Sequence, residues 1–77
     1  MELYIFAIYD KVAQTYSELK LENNIGTAHR WFSGVMAQAK VDPTDFDLFR
    51  LGTYNVDSGI INATAPEFIE HGERTSE

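Results

Sequence analysis

The chain has 77 residues, a hydrophobic content of 44% and a formal net charge of −6 at pH 7. This length allows one domain of marginal stability, and the apolar content excludes a disordered chain. The negative charge disfavours indiscriminate binding to polyanions. The absence of cysteine excludes disulfides and thiolate metal sites, and it fits the reducing environment of the cytoplasm. Because so small a chain gains stability by association, we expect a homo-oligomer.

The first predicted element is a β-strand over residues 3–9, LYIFAIY, which is rich in β-branched and aromatic residues. Tyr4, Phe6 and Ile8 alternate with further apolar residues, so the strand has more apolar surface than one helix can cover. We therefore expect self-association through this strand. The apolar run ends at Asp10 and is too short to cross a membrane, so no membrane association is expected.

Residues 10–23 show no clear periodicity and are predicted to form a connecting loop, with a short turn or strand near Tyr16 to Leu21. The following helix is predicted to begin at Asn23 or Asn24, either of which can cap the free N–H groups of the first turn. At about 100° per residue, its apolar residues form one stripe that should face the sheet. The stripe consists of Ile25, Ala28, Phe32, Val35, Met36 and Ala39, with His29 at its edge.

The helix should end near Lys40, because Pro43 lacks an N–H group and disfavours helical geometry in the preceding residue. A second strand is predicted from Phe46 to about Tyr54. The sequence from Asn55 to Gly59 then has the composition of a turn, with Gly59 at positive φ. A third strand, from Ile60 to Thr64, completes a hairpin.

The order of these elements, β-α-β-β, predicts an α+β fold in which a three-stranded, mainly antiparallel sheet has one helix packed on a face. Residues 1–66 are expected to form a single domain. Residues 67–77 have four Glu and one Arg, and they are expected to form a flexible acidic tail.

Few residues are candidates for catalysis or metal binding. His29 and His71 are the only histidines, and their spacing does not match a metal site. Asp42, Asp45 and Asp47 lack the glycine and the distal glutamate of a calcium loop. We therefore expect no enzyme activity, no metal and no cofactor.

A nucleic-acid-binding role has better support. Single strands are bound by basic side chains along the backbone and by aromatic rings against the bases. Arg30 should leave the helix on the solvent side near the N-terminal turn, where free N–H groups also favour an anion, so it is the first candidate for a phosphate contact. Trp31, which flanks the apolar stripe, is the candidate for base stacking. Weaker electrostatic contributions are expected from Lys20, Arg50 and Lys11.

The alternative is that this stretch serves ordinary helix packing. In that case Arg30 pairs with an acidic neighbour such as Asp45 or Asp47, and Trp31 is buried, as large aromatic side chains commonly are. Phe32 belongs to the core under either interpretation.

Three stretches of the sequence, MELYIFAIYDKVAQTY, GTAHRWF and PTDFDLFRLGTYNVDSGII, resemble the small nonstructural protein of gokushoviruses, which are tailless single-stranded DNA phages of the microvirus group. The resemblance extends from Met1 to about Ala65. That family has an A-x-R-x-F segment, matched here by Ala28, Arg30 and Phe32. Its most specific block is matched by Pro43, Asp45, Phe46, Leu48, Phe49, Leu51, Gly52, Tyr54 and Gly59.

The resemblance implies an early, non-virion, DNA-binding protein of the host bacterial cytoplasm that shifts genome replication from duplex copying toward single-strand synthesis and packaging. Its expected partner is single-stranded DNA. The acidic composition favours an alternative of a different class, a protein-interaction adaptor that engages a phage or host replication protein without touching DNA. Salt dependence of DNA affinity separates the two.

Overall fold

A computed structural model of the chain describes residues 1–74. It confirms the α+β class, with one helix and an antiparallel sheet of five strands in the chain order β-β-β-α-β-β. The elements are β1 Glu2–Asp10, β2 Thr15–Tyr16, β3 Lys20–Glu22, α1 Ile25–Ala39, β4 Phe46–Asn55 and β5 Ile61–His71. A 3₁₀ turn, Pro43–Asp45, connects α1 to β4.

The sheet is built around β1 and β4, which lie next to each other over most of their lengths. The spatial order is β2-β1-β4-β5, and β3 pairs with β1 along the same edge as β2. The three predicted strands are therefore present. The segment predicted as a loop with a short turn or strand near Tyr16 to Leu21 contains two short strands. Strands of two or three residues are too short for a period-2 pattern, which explains why residues 10–23 show none.

The last strand differs from the prediction at its C-terminal end. It extends from Ile61 to His71 instead of ending at Thr64, and its second half pairs with β4 through Phe68 opposite Phe49 and His71 opposite Asp47. Part of the segment predicted as a flexible tail is thus strand, because pairing with β4 outweighs the weak β-propensity of its glutamates. Residues 75–77 lie outside the described residues.

Helix α1 has the predicted N-cap and ends near Lys40 as predicted, three residues before Pro43. The side chain of Asn24 accepts a hydrogen bond from the Thr27 N–H at 2.9 Å, and Lys40 closes the helix in the left-handed conformation. Within the predicted stripe, Ala28, Phe32 and Met36 are buried and Val35 is half-buried. Ile25 and Ala39 are exposed, contrary to the prediction, because they lie at the helix ends, beyond the contact with the sheet.

The core lies between α1 and one face of the sheet. Alternate residues of β1 point to this face, so Phe6 and Ile8 meet Leu48 of β4 and the buried stripe of the helix. Tyr4, Trp31, Val35, Phe46 and Ile69 pack around this cluster and are partly buried. The other face of the sheet has no helix on it, since the described part of the chain contains one helix only. That helix is neither long nor apolar enough to span a bilayer.

Candidate nucleic-acid interface

The five predicted contact residues lie on different parts of the fold. Arg30 and Trp31 are neighbours on α1, Lys20 is on β3, Arg50 is on β4, and Lys11 follows the end of β1. In the sheet Lys20 and Arg50 both lie opposite Phe6, so the register places these two cations on either side of β1, on the face that holds α1. Lys11 lies beyond the end of that strand. Only the pair on the helix shares an element.

Arg50 is already bound within the chain. Its Nε donates to Glu67 Oε1 at 2.7 Å, and its guanidinium carbon lies 5.1 Å from the centre of the Tyr4 ring. The cross-strand register places these side chains on the face that also holds α1. A carboxylate and an aromatic ring thus occupy the positions that a phosphate and a base would take.

Lys11 and Lys20 also have acidic partners. Lys11 Nζ lies 3.4 Å from Asp47 Oδ1, which His71 Nδ1 contacts at 2.8 Å, and Lys20 Nζ lies 3.8 Å from Glu22. Both lysines are exposed, whereas Asp47 is buried. These pairs cancel the local charge that would attract a phosphate.

Arg30 differs from these cations. It is exposed, it points away from the buried side of α1, and it makes no ion pair within residues 1–74. The alternative pairing with Asp45 or Asp47 is therefore not found in this part of the chain. Trp31 packs against the core and is partly buried, so it is neither fully exposed for stacking nor fully buried.

The sequence around Arg30 contains no acidic residue, a feature that the sequence-based prediction did not use. From Asn23 to Val41 the sequence contains Arg30 and Lys40 but no aspartate or glutamate, in a chain whose net charge is −6. We call the solvent side of α1 the helix outer surface. It is formed by Gly26, Arg30, Ser33, Gly34 and Ala37, which are all exposed. Counting acidic residues per segment would have indicated this locally cationic surface.

Gly34 occupies a special place on the helix outer surface. It follows Trp31 by three residues and Arg30 by four, and both spacings make side-chain neighbours on a helix. A Cβ at Gly34 would have no atom within 4 Å, so no packing contact requires glycine there. Glycine within a helix costs about 0.5 to 1 kcal/mol relative to alanine. Its effect is to leave open space between the guanidinium and the indole.

A second exposed surface lies on the side of the sheet opposite α1. Rings from four strands are in contact there: the centroids are 4.7 Å apart for Tyr9 and Tyr16, 5.9 Å for Tyr9 and Phe49, and 5.9 Å for Phe49 and Phe68. We call this side the open face. By register it comprises Leu3, Ile5, Ala7, Tyr9, Tyr16, Leu21, Asp47, Phe49, Gly52, Tyr54, Ile61, Ala63, Phe68 and His71.

The acidic cluster considered for a cation has other contacts. Asp42 accepts hydrogen bonds from the Arg74 guanidinium and from Thr44, and these bonds hold the pKa of Asp42 well below its ordinary range. His29 Nδ1 lies 2.6 Å from Glu70 Oε1. Within the described residues, no group of three or more His, Asp or Glu side chains is arranged to hold a metal ion.

Comparison with known proteins places the chain in a phage family. The family model described as Phage ORF5 protein matches residues 3–75. This match spans nearly the whole chain, which therefore belongs to the Phage ORF5 protein family. No curated protein and no solved structure matches the chain.

Proposed function

We propose that this Phage ORF5 family member is a nonstructural single-stranded-DNA-binding protein of a gokushovirus, acting in the host bacterial cytoplasm in the switch from duplex replication to single-strand synthesis and packaging. Family membership supports the phage setting. The sequence resemblance supports the virus group. The observation that supports DNA binding is Arg30, which is exposed on a helix without aspartate or glutamate of its own and makes no ion pair within residues 1–74. The protein acts as a binding factor, without enzyme activity or cofactor.

Electrostatics favours the helix outer surface over the rest of the molecule. A phosphate that approaches Arg30 meets no carboxylate from the same helix, whereas one that approaches Arg50, Lys11 or Lys20 meets the acidic partner of that cation. Lys40 follows Arg30 by ten residues, about 15 Å along a helix axis. Ten residues also fall about 80° short of three whole turns, so Lys40 adds positive charge at the end of α1 but does not share the helix outer surface with Arg30.

Base contact is assigned to Trp31. Aromatic stacking contributes about 1 to 3 kcal/mol per base and tolerates any sequence. The partly buried indole is next to Arg30 in the chain, and Gly34 leaves the space near both side chains open. A strand held at its phosphate by Arg30 can therefore place an adjacent base against Trp31. Duplex DNA offers no unstacked base, so the mode is specific for single strands.

The test uses the single tryptophan of the chain as a reporter. Titration with a thymidine oligonucleotide should change Trp31 fluorescence, and an equal length of duplex should bind more weakly. Measured at two salt concentrations, Arg30→Ala should lower affinity and reduce the salt slope by about 0.7, the value for one phosphate contact on a single strand. Lys11→Ala is the matched control, because it removes the same charge from a residue paired with Asp47.

The result that contradicts the proposal is a folded Arg30→Ala protein with unchanged affinity. Equal losses in Arg30→Ala and Lys11→Ala would also contradict it, since they would indicate a general charge effect. Phe32→Ala separates folding from contact: Phe32 is buried, so any loss of binding should accompany loss of helical circular dichroism.

A second candidate function is the protein-interaction adaptor. It is supported by the net charge of −6 and by the acidic partners of Lys11, Lys20 and Arg50. An adaptor should show no affinity for either DNA form at low salt. It should instead bind a phage or host replication protein.

A further inference from the structure

We propose that the open face is the contact surface for a second copy of this chain. In the resulting dimer two sheets pack face to face, and the two α1 helices lie on the outside. The proposal rests on the composition, exposure and charge of the open face, and it does not depend on DNA binding.

The open face has the composition of one half of a β-sandwich interior. Its residues are apolar, aromatic or glycine, with the exception of Asp47 and His71. Two sheets with such faces pack about 10 Å apart and interdigitate their side chains. Nothing in residues 1–74 supplies a second layer on this side, because the helix packs on the other one.

The uncovered apolar area lies on both sides of β1. Ile5 and Ala7, the central residues of β1 on this face, are already buried by their neighbours within the chain. The exposed fractions are 44% for Tyr16 on β2, 47% for Phe68 and 61% for Ile61 on β5. The proposed contact therefore extends the self-association expected through β1 to the whole width of the sheet.

Charge favours a second copy over DNA as the partner. Unpaired bases can stack on a row of rings, but their phosphates need cations at its margin. Among the described residues, the cation that borders the row is Lys11, and Asp47 neutralises it. A face that is apolar apart from the paired Asp47 and His71 is instead complementary to itself. Asp47 is buried within the chain and is paired with His71 and Lys11, whose exposed side chains lie at one end of the face and can remain solvated at the rim.

The small core provides an independent reason for the dimer. The buried cluster between helix and sheet consists of six residues, Phe6, Ile8, Ala28, Phe32, Met36 and Leu48. A chain of 77 residues with such a core is marginally stable alone. Exposed contiguous aromatic surface in a soluble monomer promotes aggregation unless it is covered. A second copy is present wherever the chain is made and covers this surface symmetrically.

The first measurement is the mass of the full chain by sedimentation equilibrium, from low to several hundred micromolar. The expected mass is twice the 8.7 kDa of one chain at the upper end of this range. Phe68→Glu and Tyr16→Glu should each raise the dimer dissociation constant by about 30-fold or more, because each removes a ring from the contact and places a carboxylate there. Ile25→Glu is the control, since Ile25 is equally exposed at 45% but lies on α1.

Three outcomes would overturn the proposal. One is a wild-type chain that remains monomeric throughout the concentration range, a result that needs no variant. Another is a dimer whose dissociation constant is the same in wild type, Phe68→Glu and Tyr16→Glu while circular dichroism shows a native fold. The third is a monomer that loses thymidine-oligonucleotide binding in Phe68→Glu and keeps it in Arg30→Ala, which would assign the open face to DNA.

Discussion

The two faces of the sheet both contain apolar residues of β1, but only one of them is covered by a helix. Phe6 and Ile8 of β1 are covered by α1 and belong to a closed core, whereas Tyr9, from the alternate set, joins a row of rings that ends in half-exposed Tyr16 and Phe68. A single helix can bury only one face of a sheet. A strand that is apolar on both faces therefore produces one folded interior and one surface that needs a partner.

The same division applies to charge. The helix outer surface contains an arginine without an acidic partner in the described chain, while the margin of the open face has its lysine paired with Asp47. The locally cationic surface and the apolar surface thus lie on opposite sides of the molecule. A dimer through the open face would present two copies of Arg30 outward, and two weak sites on one particle bind a long strand more tightly than either alone.

The largest change in the free energy of unfolding is expected when an aromatic ring on either face of the sheet is replaced by alanine. Phe6→Ala, at a fully buried position under α1, should lower the free energy of unfolding by about 3 to 5 kcal/mol, at any protein concentration. Phe68→Ala should cost less, and its cost should increase with protein concentration because the ring is buried only in the dimer. Urea unfolding at two protein concentrations measures both. Equal, concentration-independent losses would remove the distinction between the faces.

A smaller change in stability is expected when either of two glycines is replaced by alanine. Gly52, on the open face, has φ of 150°, and a Cβ there would collide with the Asn62 carbonyl oxygen, so Gly52→Ala should destabilise the chain by about 1 to 3 kcal/mol or more. Gly34→Ala, on the helix outer surface, should stabilise it by about 0.5 to 1 kcal/mol. Thermal unfolding gives both values. Destabilisation by Gly34→Ala would show that the helix outer surface requires glycine for folding.

The smallest change in stability is expected from breaking the contact between residues 72–74 and the 3₁₀ turn. This contact lies on neither face of the sheet. The hydrogen bond from Arg74 lowers the pKa of Asp42 below its ordinary value of 3.8, so the contact stabilises the fold above that pH and is lost as pH falls toward the folded-state pKa. Asp42→Asn should therefore lower the urea midpoint slightly at pH 7, and the difference should shrink below pH 3.8. A difference independent of pH would contradict this assignment. The mass and the DNA affinity should not change.

Local chemistry determined the parts of the fold that the sequence predicts well. Asn24 has the side chain that caps a helix, Pro43 cannot continue one, and Gly59 has the positive φ of 76° that the turn before β5 needs. The exposure of Arg30 also follows from helical periodicity alone. Each of these features depends on residues close in the chain, so a single sequence contains the necessary information.

The features that the sequence did not predict depend on pairing between residues far apart in the chain. Whether Glu67 to His71 form a tail or a strand depends on β4, and the ion pair of Arg50 depends on Glu67, which is 17 residues away. The joining of Tyr16, Tyr9, Phe49 and Phe68 into one row likewise depends on the register of four strands. Cross-strand partners are set by topology, which composition and periodicity do not encode. The sequence alone thus determined which side chains were available, and the tertiary structure decided which of them were already satisfied and which face remained uncovered.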